Sequence, residues 1–253
     1  MRKLYVIGIG AGNPDQVTVQ AVKAIRRATT FFVIGKGAEK QELVDVRAGI
    51  LAEYAEQPHR VVEIPDPPRD RSVPGAHADD AYRGAVTDWH EARAERLEAA
   101  FAEADDIGAI LVWGDPSLYD STLRIVERVL EREVVHFDFE VIPGITSVQA
   151  LAAAHRMVLH EIGEPMHVTT GRRLREEGLP AGQSTLVMLD ADCSFTQIPG
   201  EDIYIWWGAY LGMPDEVIIE GPLRIVEQRI VRRRAALREA KGWIMDTYLL
   251  RYQ

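Results

Sequence analysis

The chain has 253 residues, an apolar share of 47% and a net charge of -10. That length holds one large domain or two small ones, and that share supports a sizeable buried core. The acidic balance argues against non-specific nucleic-acid binding, which needs a basic face, while an anionic substrate could still be held by a few local Arg residues.

In chain order, Lys3 to Ile9 is a short apolar run ending in glycine and predicts a buried strand. Gly8-Ile9-Gly10-Ala11-Gly12-Asn13-Pro14-Asp15 follows, and then Val17, Ala21, Ala24, Ile25 and Ala28 form a helical stripe. A dinucleotide fingerprint would put its last glycine where Asn13 stands, and Pro14 interrupts the turn into the helix. The second strand, Thr30 to Ile34, is followed by Gly35 and Lys36 rather than by an acid that grips a ribose, so a Rossmann NAD site is disfavoured. Glu39 to Ala55 reads as a helix and Arg60 to Ile64 as a strand. Pro65 to Asp79, with four prolines, reads as a long surface loop, either a lid or plain solvated chain. Ala81 to Ala104 reads as a long helix with Ala85, Trp89, Leu97 and Phe101 inward. Ile107 to Val112 is a central strand.

Thr122 to Glu131 reads as a helix with the Thr as a capping residue. Val134 to Ile142 is a strand and Ser147 to about Ala154 a helix. Short β-rich runs follow at Met166–Thr170, Ser184–Leu189, Ile203–Trp207 and Val217–Ile219. Leu223 to Ala240 is a helix with Leu223, Ile225, Val226, Ile230 and Ala236 inward, and Arg232-Arg233-Arg234 reads as a solvated face. Ile244 to Leu250 closes as a strand. Cys193 is the single cysteine, so no internal disulfide and no cysteine-based metal site is expected, and a reducing cytoplasm is the natural setting. No apolar run approaches about 18 residues, so no membrane span is predicted, and the start is too short in apolar residues for a leader.

Two stretches organise the rest: Trp113-Gly114-Asp115-Pro116-Ser117 after one buried strand, and Pro143-Gly144-Ile145-Thr146-Ser147 after another. In open α/β sheets ligands bind at the carboxyl ends of strands, and Gly and Pro there let backbone approach a ligand closely. Either stretch alone is equally an ordinary strand-to-helix turn. With the N-terminal glycine loop they favour a ligand cleft.

Gly8, Gly10, Gly12, Pro14, Asp15 and Thr18 together resemble the opening of the tetrapyrrole (corrin/porphyrin) methylases. Gly114-Asp115-Pro116 is similar to that family's second signature and Val141–Ala154 to its third, in the right order and over essentially the whole chain. The resemblance implies two α/β domains with the cofactor cleft between them, the class III methyltransferase fold, divided near Tyr119–Ser121 into 1–119 and 120–253. It implies S-adenosylmethionine as cofactor, a tetrapyrrole as substrate, no nucleic acid or membrane partner, and a homodimer. Carried over by position, Pro14, Trp113, Gly114, Asp115, Thr146, Ser147, Asp190 and Ala209 are expected to hold the cofactor. Trp113 and Asp190 depart from the usual residues of the family, and Ser147 stands where an Ala is common.

Trp206-Trp207-Gly208-Ala209-Tyr210 and the run Val187 to Asp192 resemble the deacetylating branch of the family. That branch implies methyl transfer to C1 of precorrin-5 with loss of an acetyl unit as acetate. A sulfonium methyl is already activated, so placement, which can supply about 7–11 kcal/mol, is the protein's main task. No metal is required. Acetyl loss needs water attack and proton handling, for which Asp115 and His155 are candidate bases. Asp115 could equally hold its own loop through an Asx bond, and His155 could simply end its helix favourably against the dipole. Arg124, Arg172 and Arg173 are candidates for the substrate carboxylates, with surface solvation the plain alternative. Two competing readings are another methyltransferase of the same fold and a non-catalytic module that binds an adenine nucleotide.

Overall fold

The structure is a computed structural model that describes residues 2–35, 41–67, 80–104 and 106–253, with the helical backbone alone at 41, 42, 80–83, 85 and 86. The chain divides into two units: Met1–Gly10 with Pro14–Gly144, and Ala11–Asn13 with Ile145–Gln253.

The first unit contains β1 (Lys3–Gly8), α1 (Val19–Arg27), β2 (Thr30–Gly35), α2 (Gln41–Tyr54), β3 (Arg60–Pro65), α3 (Asp80–Ala102), β4 (Ile107–Val112), α4 (Thr122–Glu131) and β5 (Asp138–Ile142). Its sheet is parallel throughout, in the order β3-β2-β4-β1-β5. A parallel sheet is covered on both faces, so its central strands carry continuous apolar runs. Side chains alternate along β1 and β4. Leu4, Val6, Ile110 and Val112 pack on the face of Leu97, Phe101, Ile125 and Val126 from α3 and α4. Tyr5, Ile7, Ala109 and Leu111 pack on the opposite face with Ala21, Ile25, Ile50 and Leu51 from α1 and α2.

Three expectations are corrected here. The strand expected at Val134–Ile142 begins at Asp138, because Asp138 pairs with Lys3, the first residue of β1. That pairing puts β5 and α4 in the first unit, so the chain divides after Gly144 and not near Tyr119–Ser121. Thr122 does not cap α4 with its side chain; Asp120 Oδ1 accepts from Thr122 N–H at 2.7 Å instead. By contrast Thr18 caps α1, accepting from Ala21 N–H at 3.1 Å. Most of the loop expected at Pro65–Asp79 lies outside the described residues.

The second unit contains α5 (Ser147–His155), β6 (Met166–Thr170), α6 (Gly171–Glu177), β7 (Ser184–Met188), β8 (Ile203–Ala209), β9 (Val217–Pro222), α7 (Leu223–Lys241) and β10 (Asp246–Tyr252). Its sheet runs β6-β7-β10-β8-β9, parallel only between β6 and β7. The inward stripe of α7 is Leu223, Val226, Ile230, Arg234 and Leu237. Ile225, expected inward, is 78% exposed, and Arg234, expected in a solvated run, is buried. No helix among the described residues is long and apolar enough to cross a membrane.

Candidate active site

In the first sheet the chain leaves β1 toward β2 on one side and leaves β4 toward β5 on the other, while β4 and β1 are neighbours. The winding therefore reverses between their carboxyl ends, the place where open α/β sheets bind ligands. Gly114 N–H donates to Gly10 O at 2.8 Å and Gly10 N–H to Gly114 O at 3.3 Å, tying the two loops together. Three backbones converge beside this bridge. A Cβ on Gly8 would lie 2.5 Å from Gly144 N, and one on Gly144 would lie 2.1 Å from Gly114 O. Only glycine permits that approach.

Asp115 clips this edge together. Its Oδ1 accepts from Ser117 N–H at 2.8 Å and from the Ser117 hydroxyl, and its Oδ2 accepts from Gly144 N–H at 2.9 Å. Partial burial pushes this carboxyl up, but the bonds from Ser117 and Gly144 outweigh it and hold it below its ordinary value. Such a carboxylate is a weak base, with both oxygens already engaged. Pro14 opens a single 3-10 turn, Pro14–Gln16, whose first carbonyl accepts from Val17 N–H at 3.0 Å. Trp113 packs against the α1 and α2 side of the core, and its buried indole Nε1 has no hydrogen-bond partner among the described residues.

In the second unit Thr146 caps α5, its hydroxyl accepting from Val148 N–H at 3.2 Å while its N–H donates to Gln149 Oε1 at 3.0 Å. Ser147 opens the helix. The turn after β7 is built on Asp190. Its buried carboxylate accepts from Ser194 N–H at 2.6 Å, from Ser194 Oγ at 2.8 Å and from the Tyr248 hydroxyl at 2.7 Å. Burial, and then the adjacent Asp190 carboxylate, push the Tyr248 phenol far up, so it stays a donor. Arg234 supports the same turn from α7, donating to Asp190 O at 2.7 Å and Ala191 O at 3.2 Å while Nε donates to Asp246 Oδ2 at 2.9 Å. Leu189 is held there in the left-handed region at φ 54 and is 66% exposed. A cavity of about 790 Å³ undercuts the turn, lined by Asp192, Cys193, Thr196, Arg234 and Arg238 among others. None of the residues expected to hold the cofactor lines it.

Residues 3–226 match the family model of the Tetrapyrrole (Corrin/Porphyrin) Methylases. The chain belongs to this family. This methylase is 48% identical to a precorrin-6A synthase [deacetylating] of Sinorhizobium sp over 255 residues, 99% of this chain and 95% of the relative. It superposes with a TM-score of 0.84 on the crystal structure of a cobalamin synthesis related protein (CobF) of Corynebacterium diphtheriae, at 37% identity over 100% of this chain and 99% of that one. A uroporphyrin-III C-methyl transferase of Thermus thermophilus, complexed with S-adenyl homocysteine, shares the fold at a TM-score of 0.60 and 18% identity, over 98% of this chain and 91% of its own.

The methylase fold brings Gly114 and Asp115 together with Gly144 at one sheet edge, and it gives Thr146 and Asp190 backbone-organising roles. Ala209 is fully buried at the end of β8. His155 does not act as a helix cap. Its ring, 1% exposed, lies with Nε2 3.0 Å from Trp207 O and Nδ1 3.0 Å from Glu220 Oε2, tying α5 to β8 and β9. Each ring nitrogen thus already has a protein oxygen within hydrogen-bond distance. Arg124 is exposed on α4. Arg172 and Arg173 lie on α6, where Arg173 pairs with Glu177. Arg234, expected on a solvated face, and Tyr248, a Tyr in an apolar strand with no other signal, both support the Asp190 turn. Arg47 is a lone cation beside the apolar stripe of α2, with no sequence signal beyond that.

Proposed function

We propose that this methylase transfers a methyl group from S-adenosylmethionine to C1 of precorrin-5 and releases the extruded acetyl unit as acetate, giving precorrin-6A for cobalamin formation. The observation that carries the reading is 48% identity across 99% of the chain to a protein of that name, precorrin-6A synthase [deacetylating]. The residues fit such a cofactor. The carboxyl edge of the first sheet is built from closely packed backbone, with Gly8 and Gly144 where any Cβ would meet a neighbouring main chain, which suits a donor that needs placement more than acid or base.

Bound there, S-adenosylmethionine supplies an activated methyl group. By the family resemblance, Pro14, Trp113, Gly114, Asp115, Thr146, Ser147 and the main chain near Asp190 and Ala209 are its proposed supports. Asp115 is assigned as a positioning residue, because its carboxylate is spent on Ser117 and Gly144. His155 is assigned a structural role, because both its ring nitrogens are engaged. A homodimer in a reducing cytoplasm completes the reading, on the strength of the family resemblance and the lone Cys193; sedimentation of the purified chain tests the oligomer.

The decisive experiment is mass spectrometry of the tetrapyrrole after incubation with enzyme and S-adenosylmethionine. A product that has gained a methyl and lost the acetyl unit, with free acetate, supports the assignment. A methyl gained with the acetyl retained moves the enzyme to a different step. An unchanged tetrapyrrole despite cofactor binding sinks the substrate.

A further inference from the structure

Arg47 stands on α2 beside the buried Leu43, Ile50 and Leu51, and its guanidinium reaches the carboxyl edge of the first sheet. Nε donates to Leu111 O at 3.3 Å and Nη1 to Leu43 O at 3.2 Å. The Leu111 carbonyl is available for a topological reason. Successive carbonyls of a parallel strand address opposite neighbours, and Val112 O accepts from Ile9 N–H on the β1 side. Leu111 O therefore faces β2. But β2 pairs with β4 only from Thr30 to Phe32, opposite Gly108 to Ile110. Past that point the strands diverge, and Arg47 stands in the opening, just ahead of Trp113, Gly114 and Asp115.

A guanidinium has five N–H donors in a planar fork. Arg47 uses two on carbonyls, and the other three have no acceptor among the described residues. Other arginines of the chain are satisfied differently. Arg93 forks onto Asp66 at 2.7 and 2.6 Å, and Arg234 holds Asp246 as well as two carbonyls. The Asp120 carboxylate is near enough to Arg47 to act on it through space, but its Oδ1 is bonded to Thr122 N–H. Burial pulls the Arg47 guanidinium below its ordinary value, and Asp120 opposes that pull without cancelling it. Arg47 is partly exposed and has the Asp120 charge nearby, but no carboxylate among the described residues is bonded to it, so its fork stays open to an anion. A planar, bidentate anion is what the open side of such a fork recognises.

We propose that Arg47 is a carboxylate-binding residue of the active site, its remaining fork taking a carboxylate of the bound ligand. This rests on the reading of the chain as an S-adenosylmethionine-dependent tetrapyrrole methyltransferase. That reaction offers two sources of the group: the acidic side chains of the tetrapyrrole and the amino-acid carboxylate of the cofactor.

Arg47→Gln and Arg47→Lys distinguish these sources. The measurements are kcat, the KM for each substrate at low and high salt, and the Kd of S-adenosylhomocysteine by calorimetry, with thermal melting to establish folding. Arg47→Gln is expected to raise one KM by about tenfold to a hundredfold, the equivalent of one charge-assisted bond, with kcat at saturation retained and the salt dependence of that KM lost. Arg47→Lys should recover part of the affinity, keeping the charge and losing the fork. A rise confined to the tetrapyrrole KM assigns the carboxylate to the substrate. A rise in the S-adenosylmethionine KM, with a matching loss of S-adenosylhomocysteine affinity, assigns it to the cofactor. A folded Arg47→Gln enzyme with both KM values unchanged overturns the proposal. Should that variant fail to fold, Arg47→Lys, which keeps a donor for Leu111 O, decides by the same readouts. A wild-type chain that neither binds S-adenosylhomocysteine nor converts the tetrapyrrole overturns the functional reading instead.

Discussion

The Asp115 carboxylate holds the backbone N–H of Gly144 at 2.9 Å across 29 positions of sequence, and so joins the turn after β4 to the turn after β5. Asp115→Asn puts an amide donor or a weaker acceptor where a carboxylate accepted from both Ser117 and Gly144. The expected cost is about 1–3 kcal/mol of stability, the range for bonds to a charged group, with a KM for S-adenosylmethionine raised about tenfold. As a positioning residue, Asp115 should leave one acetate released per methyl transferred in the Asn variant. Acetate release falling out of step with methylation would identify it as the base after all.

The same carboxylate sets an acid limit. Its folded value lies below the ordinary 3.8, so the clip's contribution is complete above that range and is lost as pH falls through the lower, folded value. Stability against pH should accordingly show a component confined to strong acid. Denaturant titrations of wild type and Asp115→Asn between pH 2 and pH 6 should converge at the acid end, and parallel curves would contradict the assignment.

Much of the first sheet was legible because its central strands are buried on both faces and read as unbroken apolar runs. The glycine and Gly-Asp-Pro loops were legible because close backbone approach admits few residue types. What local pattern could not carry was pairing at a distance. Val134 to Phe137 are as apolar as a strand requires, but they lie ahead of the Lys3–Asp138 pairing that begins the ladder. The same long-range ladder moved the division of the chain to Gly144. α6 was missed because its seven residues hold one buried apolar side chain, Leu174, among charges. Arg234 looked like surface because it sits in a basic run, and only the fold shows Asp246 and the Asp190 carbonyl beneath it.

Gly144→Ala sets a Cβ 2.1 Å from the Gly114 carbonyl oxygen, and that backbone is held by its bridge to Gly10. The neighbour cannot rotate away, so the substitution should cost about 3 kcal/mol and abolish S-adenosylhomocysteine binding. Gly49→Ala is the control: it lies in α2 with nothing within 4 Å of the new Cβ, and it should gain about 0.5–1 kcal/mol. Chemical denaturation of the two variants tests both signs at once.

His155→Gln should lower stability by about 1–3 kcal/mol, because it loosens the tie from α5 to Trp207 O and Glu220. If His155 is structural, the acetate yield per methyl stays at unity in the folded variant. A Gln enzyme that methylates normally but retains the acetyl unit would show that the ring handles the proton.

The Asp190 turn offers a graded comparison. Tyr248→Phe removes one of four donors to the Asp190 carboxylate and leaves the Asp192 N–H and the two from Ser194, so the loss should be about 1–3 kcal/mol. Arg234→Met does more. It strands Asp246, whose side chain is 6% exposed, with Trp207 Nε1 as its remaining donor from this network, and it withdraws support from the Asp190 and Ala191 carbonyls. Breaking one side of a buried pair costs about 3–5 kcal/mol. Adding Asp246→Asn to Arg234→Met should restore part of that loss, since it removes the stranded charge while keeping an acceptor for the indole. A double-mutant cycle by denaturant unfolding gives the coupling, and strict additivity of the two substitutions would mean that Arg234 and Asp246 stabilise the turn independently.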